Sequence, residues 1–231
     1  MKKIFIAYFL ILHVILCVFI YDPYLILSQR WRLGLHNVTQ PFKEHLFYKD
    51  FLGISFSPLH KTNIILGASH MRRFDHMMLD KKFVNLAISG QKIEKLQENI
   101  ERLKLPQRLG HVLLLIGGND ILHGKKNAEF VFEKTKNMIQ FMENADHFLL
   151  VTLPPVGKNL HGKMGQEIIK LNDMFRSYCA AYGICTIIDI YPELVADNGL
   201  LHTPYNAGDD LHLSFEAYYI LQEKINKALD R

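Results

Sequence analysis

Residues Asn63-Ile64-Ile65-Leu66-Gly67-Ala68-Ser69-His70 decide how this chain folds. A short apolar run, too brief for a helix of its own, ends in a glycine that turns the backbone out of line, and a serine follows. Read as a strand buried on both faces, the run belongs to a parallel sheet, and its carboxyl end is where such sheets place their ligands. Four further runs have the same character: Phe83–Ile88, His111–Ile116, His147–Leu153 and Ile184–Ile190. Each is rich in Ile, Val or Leu and does not alternate with polar residues.

Between the runs the apolar period changes to that of helices. Ile93, Leu96, Ile100 and Leu103 step by three and four, as do Val131, Thr135, Met138 and Met142. Ile168, Leu171, Phe175 and Tyr178 follow, and Tyr218, Leu221, Ile225 and Leu229 close the pattern. Strand alternating with helix predicts an α/β domain, with a five-stranded parallel sheet between helical layers, over residues 59–231. With 231 residues the chain holds one good core.

The amino-terminal part reads differently. Lys2 and Lys3 precede an uncharged run from Ile4 to Tyr21. As a helix it would rise about 27 Å, close to the hydrocarbon thickness of a bilayer. A cleaved signal peptide wants small residues at its exit, and Cys17-Val18-Phe19-Ile20-Tyr21 is bulky. The run is therefore expected to be an uncleaved transmembrane anchor (residues 1–21), in preference to a signal peptide or a core helix. His13 within it stays neutral or faces a partner. Residues 22–58, with Pro23, Pro41 and Pro58, form a juxtamembrane segment. The leading lysines place the start inside, opposed by Arg30 and Arg32, so the domain is expected to be extracytoplasmic.

The formal net charge is +4, but lysines and arginines are spread without a basic stripe or binding motif, so no nucleic-acid partner is expected. No Cys/His cluster has zinc spacing. His70, Asp75 and His76 make a weak metal sketch with no supporting second cluster, and neither a metal nor a cofactor is expected. Cys179 and Cys185 read as buried free cysteines, with a disulfide as the alternative. Arg72 and Arg73 read as solvated positions, with an anionic substrate group as the alternative.

Polar residues with chemistry stand where the sheet predicts them. Ser69 follows the first strand, Ser89-Gly90 the second, and Gly117-Gly118-Asn119-Asp120 the third. Just before the last helix comes Gly208-Asp209-Asp210-Leu211-His212. Asp209 and His212, three apart, are expected to share one side of a helical turn. The carboxylate then orients the imidazole, which takes the serine proton. Asp210 is an alternative carboxylate or a cap. Acyl transfer also needs donors for a developing oxyanion. The Ser69 amide, the Gly90 amide and the Asn119 side chain are the candidates.

Together these four blocks resemble the SGNH (GDSL-type) hydrolase family over about residues 62–230. Gly67-Ala68-Ser69 looks like the nucleophile block, Gly90 the glycine block, Gly118-Asn119-Asp120 the asparagine block, and Asp209-Asp210-Leu211-His212 the closing Asp-x-x-His. The resemblance implies a three-layer α/β/α, flavodoxin-like fold and metal-free hydrolysis of esters or thioesters. Ala68 and Leu213 depart from that family's usual Asp and Pro, which separates the chain from the best-characterised lipases. The G-x-S-x-G elbow of α/β-hydrolases is absent. The expected activity is that of a membrane-tethered serine esterase or deacetylase acting on an acylated carbohydrate, lipid or envelope polymer. The alternatives are an O-acyltransferase using the same acyl-enzyme and a non-catalytic glycan- or acyl-binding assembly protein on the same fold.

Overall fold

The structure, a computed structural model, describes residues 61–102, 108–181, 183 and 185–230. Five parallel strands form its centre: β1 (Thr62–Gly67), β2 (Phe83–Asn85), β3 (Leu109–Leu115), β4 (Ala145–Val151) and β5 (Cys185–Ile188). Their order is β2-β1-β3-β4-β5 and every pairing is parallel. This is the flavodoxin-like order, in which the direction of winding reverses between β1 and β3 and a crevice opens at their carboxyl ends.

Both faces of the sheet are sealed, which is why its strands are apolar without alternating. Ile65, Leu113, Leu115, Leu149, Val151 and Ile188 point to one face and pack with Met71, Leu221, Ile225 and Leu229. Those residues come from helix α1 (Ser69–Arg73) and the last helix, α7 (Phe215–Leu229), which follows the single-turn α6 (Tyr191–Leu194). Successive strand residues point oppositely, and the alternates Ile64, Leu66, Val112, Leu114, Phe148 and Leu150 are buried to 1% exposure or less. Helices α2 (Ile93–Arg102), α4 (Ala128–Phe141) and α5 (Lys158–Ala181) pack on one another as the opposite layer. Burying each such side chain stabilises the fold by roughly 1.5–3 kcal/mol.

Strands β2, β4 and β5 end two or three residues sooner than their apolar runs, and both backbone and side-chain bonds tie down the remainder. After β2, the Leu86 and Ile88 amides still bond to the Ile65 and Gly67 carbonyls, while Asn85 bonds across to the Met71 carbonyl. Beyond β4, the amide and carbonyl of Leu153 are both held at 2.8 Å by the side chain of Asn172, which is fully buried. Beyond β5, Asp189 turns to a two-bond pair with Arg176, and the Ile190 amide bonds to the Thr152 hydroxyl.

Cys179, near the end of α5, and Cys185, opening β5, are joined in a disulfide, so the expectation of free thiols is corrected. With only residues 182–184 between the two elements, their Cα atoms lie 4.9 Å apart, inside bridging range. Among the described residues no helix is long and apolar enough to cross a membrane. The Ile4–Tyr21 run and the 22–58 segment lie outside those residues.

Candidate active site

Ser69 owes its place to Gly67. That glycine has φ +146, and a Cβ there would collide with the Leu115 carbonyl oxygen of the neighbouring strand. Only a residue without a side chain lets β1 press so close to β3 before turning. Ala68, not Ser69, is the cap residue of α1, so the serine hydroxyl is not spent on capping. It meets the His212 ring instead: Oγ lies 2.9 Å from Nε2.

His212 arrives on the loop before α7. Asp209 and His212 are not on a helical turn, as spacing alone suggested; Asp210 between them has φ +62, which breaks any helix. The Asp209 carboxylate makes the turn itself. One oxygen accepts from the Leu211 amide at 3.1 Å and the His212 amide at 2.7 Å, and the other lies 2.6 Å from His212 Nδ1. An ionised carboxylate only accepts, so the proton sits on Nδ1 and Nε2 is free to accept from Ser69. Partial burial pushes the Asp209 carboxyl upward, but the His212 amide, the His212 ring and the Leu211 amide outweigh it and hold it at about 2.

Asp210, the alternative carboxylate, has another task. One oxygen accepts from the Asn159 amide and side chain at 3.1 and 2.6 Å, and the other from Asn206 Nδ2 at 2.9 Å. Its carbonyl accepts from the Gly157 amide at 2.8 Å. A Cβ on Gly157 would strike this carboxylate, so that glycine is what allows the approach. The loop bearing His212 is thereby pinned to the start of α5.

Asn119, second residue of α3 (Gly118–Gly124), stands with Ser69 on a pocket whose wall is Leu153, Pro154, Met164 and Ile168. Its Nδ2 donates to the Gln91 carbonyl at 3.2 Å, which fixes the amide and leaves a second N–H. Ser69 and Asn119 follow β1 and β3, the two strands flanking the reversal of winding. Gly90 (φ +76) is exposed in the turn just before Gln91 and is not among the residues lining the pocket. Asp120 is buried and accepts the Ile93 amide at the start of α2; burial raises its carboxyl to about 6 against that bond and Lys92.

The residues of the metal sketch have other surroundings. His70 is buried and its Nε2 lies 3.1 Å from the Leu211 carbonyl, while Asp75 accepts the Met77 amide. Among the described residues no group of three His, Cys, Asp or Glu is placed to hold a metal ion. Arg72 and Arg73 are exposed on α1. Sequence reading missed the anchoring by Asp210, the contact of His70 and the apolar wall. The Pro154-Pro155 pair after the fourth strand was the one signal that a shaped pocket wall begins there.

A family model described as the OSK domain matches residues 69–210, from Ser69 into the Asp209-Asp210 turn. The chain belongs to the OSK domain family. No curated protein matches it. Among solved structures, the OSK domain of Drosophila Oskar superposes with TM-score 0.59 and 19% identity, over 82% of this chain and 100% of that one. A GDSL-like lipase from Bacteroides thetaiotaomicron gives 0.66 and 19%, over 79% and 97%. A lipolytic protein of the G-D-S-L family from Veillonella parvula gives 0.64 and 19%, over 74% and 100%. The expected SGNH (GDSL-type) resemblance is therefore borne out: this OSK domain has the α/β fold that those lipolytic proteins share. At such identities the likeness establishes fold, and what this OSK domain does is a question for its own residues.

Proposed function

We propose that the protein is a serine acyl-ester hydrolase. The observation that carries this is the unbroken chain from Ser69 Oγ through His212 Nε2 and Nδ1 to Asp209, with steps of 2.9 and 2.6 Å. A fold alone does not require it, and nucleophilic catalysis does.

In this reading His212 takes the Ser69 proton as Oγ attacks the acyl carbonyl, forming the new C–O bond. The Ser69 amide and Asn119 Nδ2 receive the oxyanion, with the exposed Gly90 amide kept as the third donor that the sequence suggests. His212 then protonates the leaving oxygen as its bond to carbon breaks. Water, deprotonated by the same ring, releases the acid and restores Ser69. Asp209 stays ionised throughout and stabilises the imidazolium. The substrate class is an acylated carbohydrate, lipid or envelope polymer, and the Ile4–Tyr21 run tethers the enzyme to a membrane with the domain on the extracytoplasmic side. An acceptor hydroxyl in place of water gives the acyltransferase variant.

Family membership supports a second reading, because the OSK domain family carries no reaction in its name. In it the cleft binds an acyl group or glycan without turnover. The two are separated by p-nitrophenyl acetate hydrolysis and fluorophosphonate labelling of the full chain in detergent, beside Ser69→Ala and His212→Ala. Activity and labelling that both substitutions abolish are expected. A folded wild type that neither hydrolyses nor labels refutes catalysis and leaves the binding reading.

A further inference from the structure

We infer that His70 is the positioning residue of this site: its ring donates to the Leu211 carbonyl and so sets the backbone on which His212 is carried. The inference rests on the serine-hydrolase reading. A carbonyl only accepts, so Nε2 of His70, 3.1 Å from Leu211 O, carries the ring proton. That bond ties the residue after the nucleophile to the residue before the base, across 141 positions of chain. The His70 carbonyl in turn accepts the Tyr218 hydroxyl at 3.0 Å, which docks α7 on the same point. One residue thus fixes the Ser69 turn, the His212 loop and the helix behind both. Leu211 also lines the pocket, so the same bond sets part of the wall a substrate meets.

The ring must also stay uncharged. Its centroid lies 5.5 Å from that of His212, which becomes the cation when it takes the serine proton. A second cation there would oppose the transfer. The groups facing His70 are His212 and Asp209 from the loop, Arg73 from α1 and Tyr218 from α7. Burial first, then His212, with Arg73 in the same sense, hold the ring down at about 4 against the Leu211 bond and Asp209. His70 therefore neither gains nor loses a proton in the reaction.

Packing alone does not account for this arrangement, and variants of graded reach tell the two apart. Glutamine places an N–H near the position of Nε2, asparagine falls short of it, and leucine fills space without donating. The full chain in detergent is tested as wild type, His70→Gln, His70→Asn and His70→Leu. The readouts are fluorophosphonate labelling rate, kcat and KM for p-nitrophenyl acetate from about pH 5.5 to 8.5, and circular dichroism. A base displaced by about an ångström loses on the order of 10²-fold in kcat, so that loss, with KM little changed, is expected of the leucine and asparagine variants. His70→Gln recovers close to wild-type labelling with the same pH profile. Should the leucine variant not fold, the asparagine–glutamine pair decides alone. Equal rates in those two, or a pH limb that moves in His70→Gln, overturn the positioning role. A wild type that does not label removes the nucleophile reading itself, and this inference with it.

Discussion

Two buried groups titrate in opposite senses across the same pH window, and their opposition can be measured. His70 is held at about 4 against an ordinary 6.5, by burial first and His212 second. Between those values the unfolded chain binds a proton that the folded chain refuses, so this contribution to stability is complete above pH 6.5 and is lost as pH falls toward 4. Asp120 is raised to about 6 from 3.8, burial being the cause, against the Ile93 amide and Lys92. Here the folded chain keeps a proton that the unfolded chain has released, so stability falls as pH rises from 3.8 to 6. Every tenfold change in proton affinity between the folded and unfolded chain is worth about 1.4 kcal/mol. Both side chains are buried, at 9% and 2% exposure, so solvent does not screen the effect away. Each excursion is then on the order of 3 kcal/mol, and in wild type the two cancel over much of pH 4–6.

Single substitutions expose each slope. Asp120→Asn leaves His70 alone, and its urea-unfolding free energy should climb by on the order of 3 kcal/mol relative to wild type as pH rises from about 4 to 6.5. His70→Gln leaves Asp120 alone and should show the reverse trend of similar size. The depressed His111, His123 and His147 are common to all three proteins and drop out of the differences. The assay is urea titration of the full chain in detergent at half-unit pH steps, followed by circular dichroism. Variant curves running parallel to wild type across the window would refute the reasoning.

Other outcomes follow from the same geometry. Asn119→Ala should lower turnover of p-nitrophenyl acetate about 10²–10³-fold, as for loss of one oxyanion donor; an unchanged rate takes Asn119 out of the site. Asp210→Ala, which strips three side-chain hydrogen bonds, should lower the melting temperature, with activity falling alongside. Should Asp210→Ala lose activity at an unchanged melting temperature, Asp210 acts in the chemistry and not as an anchor. Gly67→Ala should destabilise more than Gly90→Ala, since only the former meets a carbonyl oxygen of the next strand. Cys179 and Cys185 should resist alkylation in the unreduced, denatured chain and both react after reduction, as peptide mass spectrometry would show.

The sheet was readable because its strands obey one local rule, burial on both faces, and the helices between them another. Ser69 and Asn119 were readable because each directly follows such a strand at the crevice. What sequence could not give is closure by side chains from elsewhere. Nothing local in Leu153 says that Asn172 completes its hydrogen bonds, nor in Asp189 that Arg176 turns it aside. The Asp209–His212 pair was found by its spacing, yet the helical turn supposed to join them was wrong: Asp210 adopts φ +62 because Asn206, Asn159 and Gly157 hold it from both sides. His70 had only Asp75 and His76 nearby in sequence to suggest a role, and those made no more than a weak metal sketch. Its burial and its partner 141 residues away are properties of the tertiary fold.

The hydroxyl of Ser69 and the ring of His212 are 143 residues apart in the chain. As a nascent polypeptide emerges, strands β1 to β5 are made before any part of the loop that brings His212, and α7 comes later still. During synthesis the Ser69 turn is therefore made before the His212 ring and the Tyr218 hydroxyl that bond to it. On the proposed reading, the Ser69–His212–Asp209 group comes together only once residues 209–212 have been made. On that same reading, a molecule cut short before Asp209 would keep Ser69 and lack both the ring and the carboxylate that meet it.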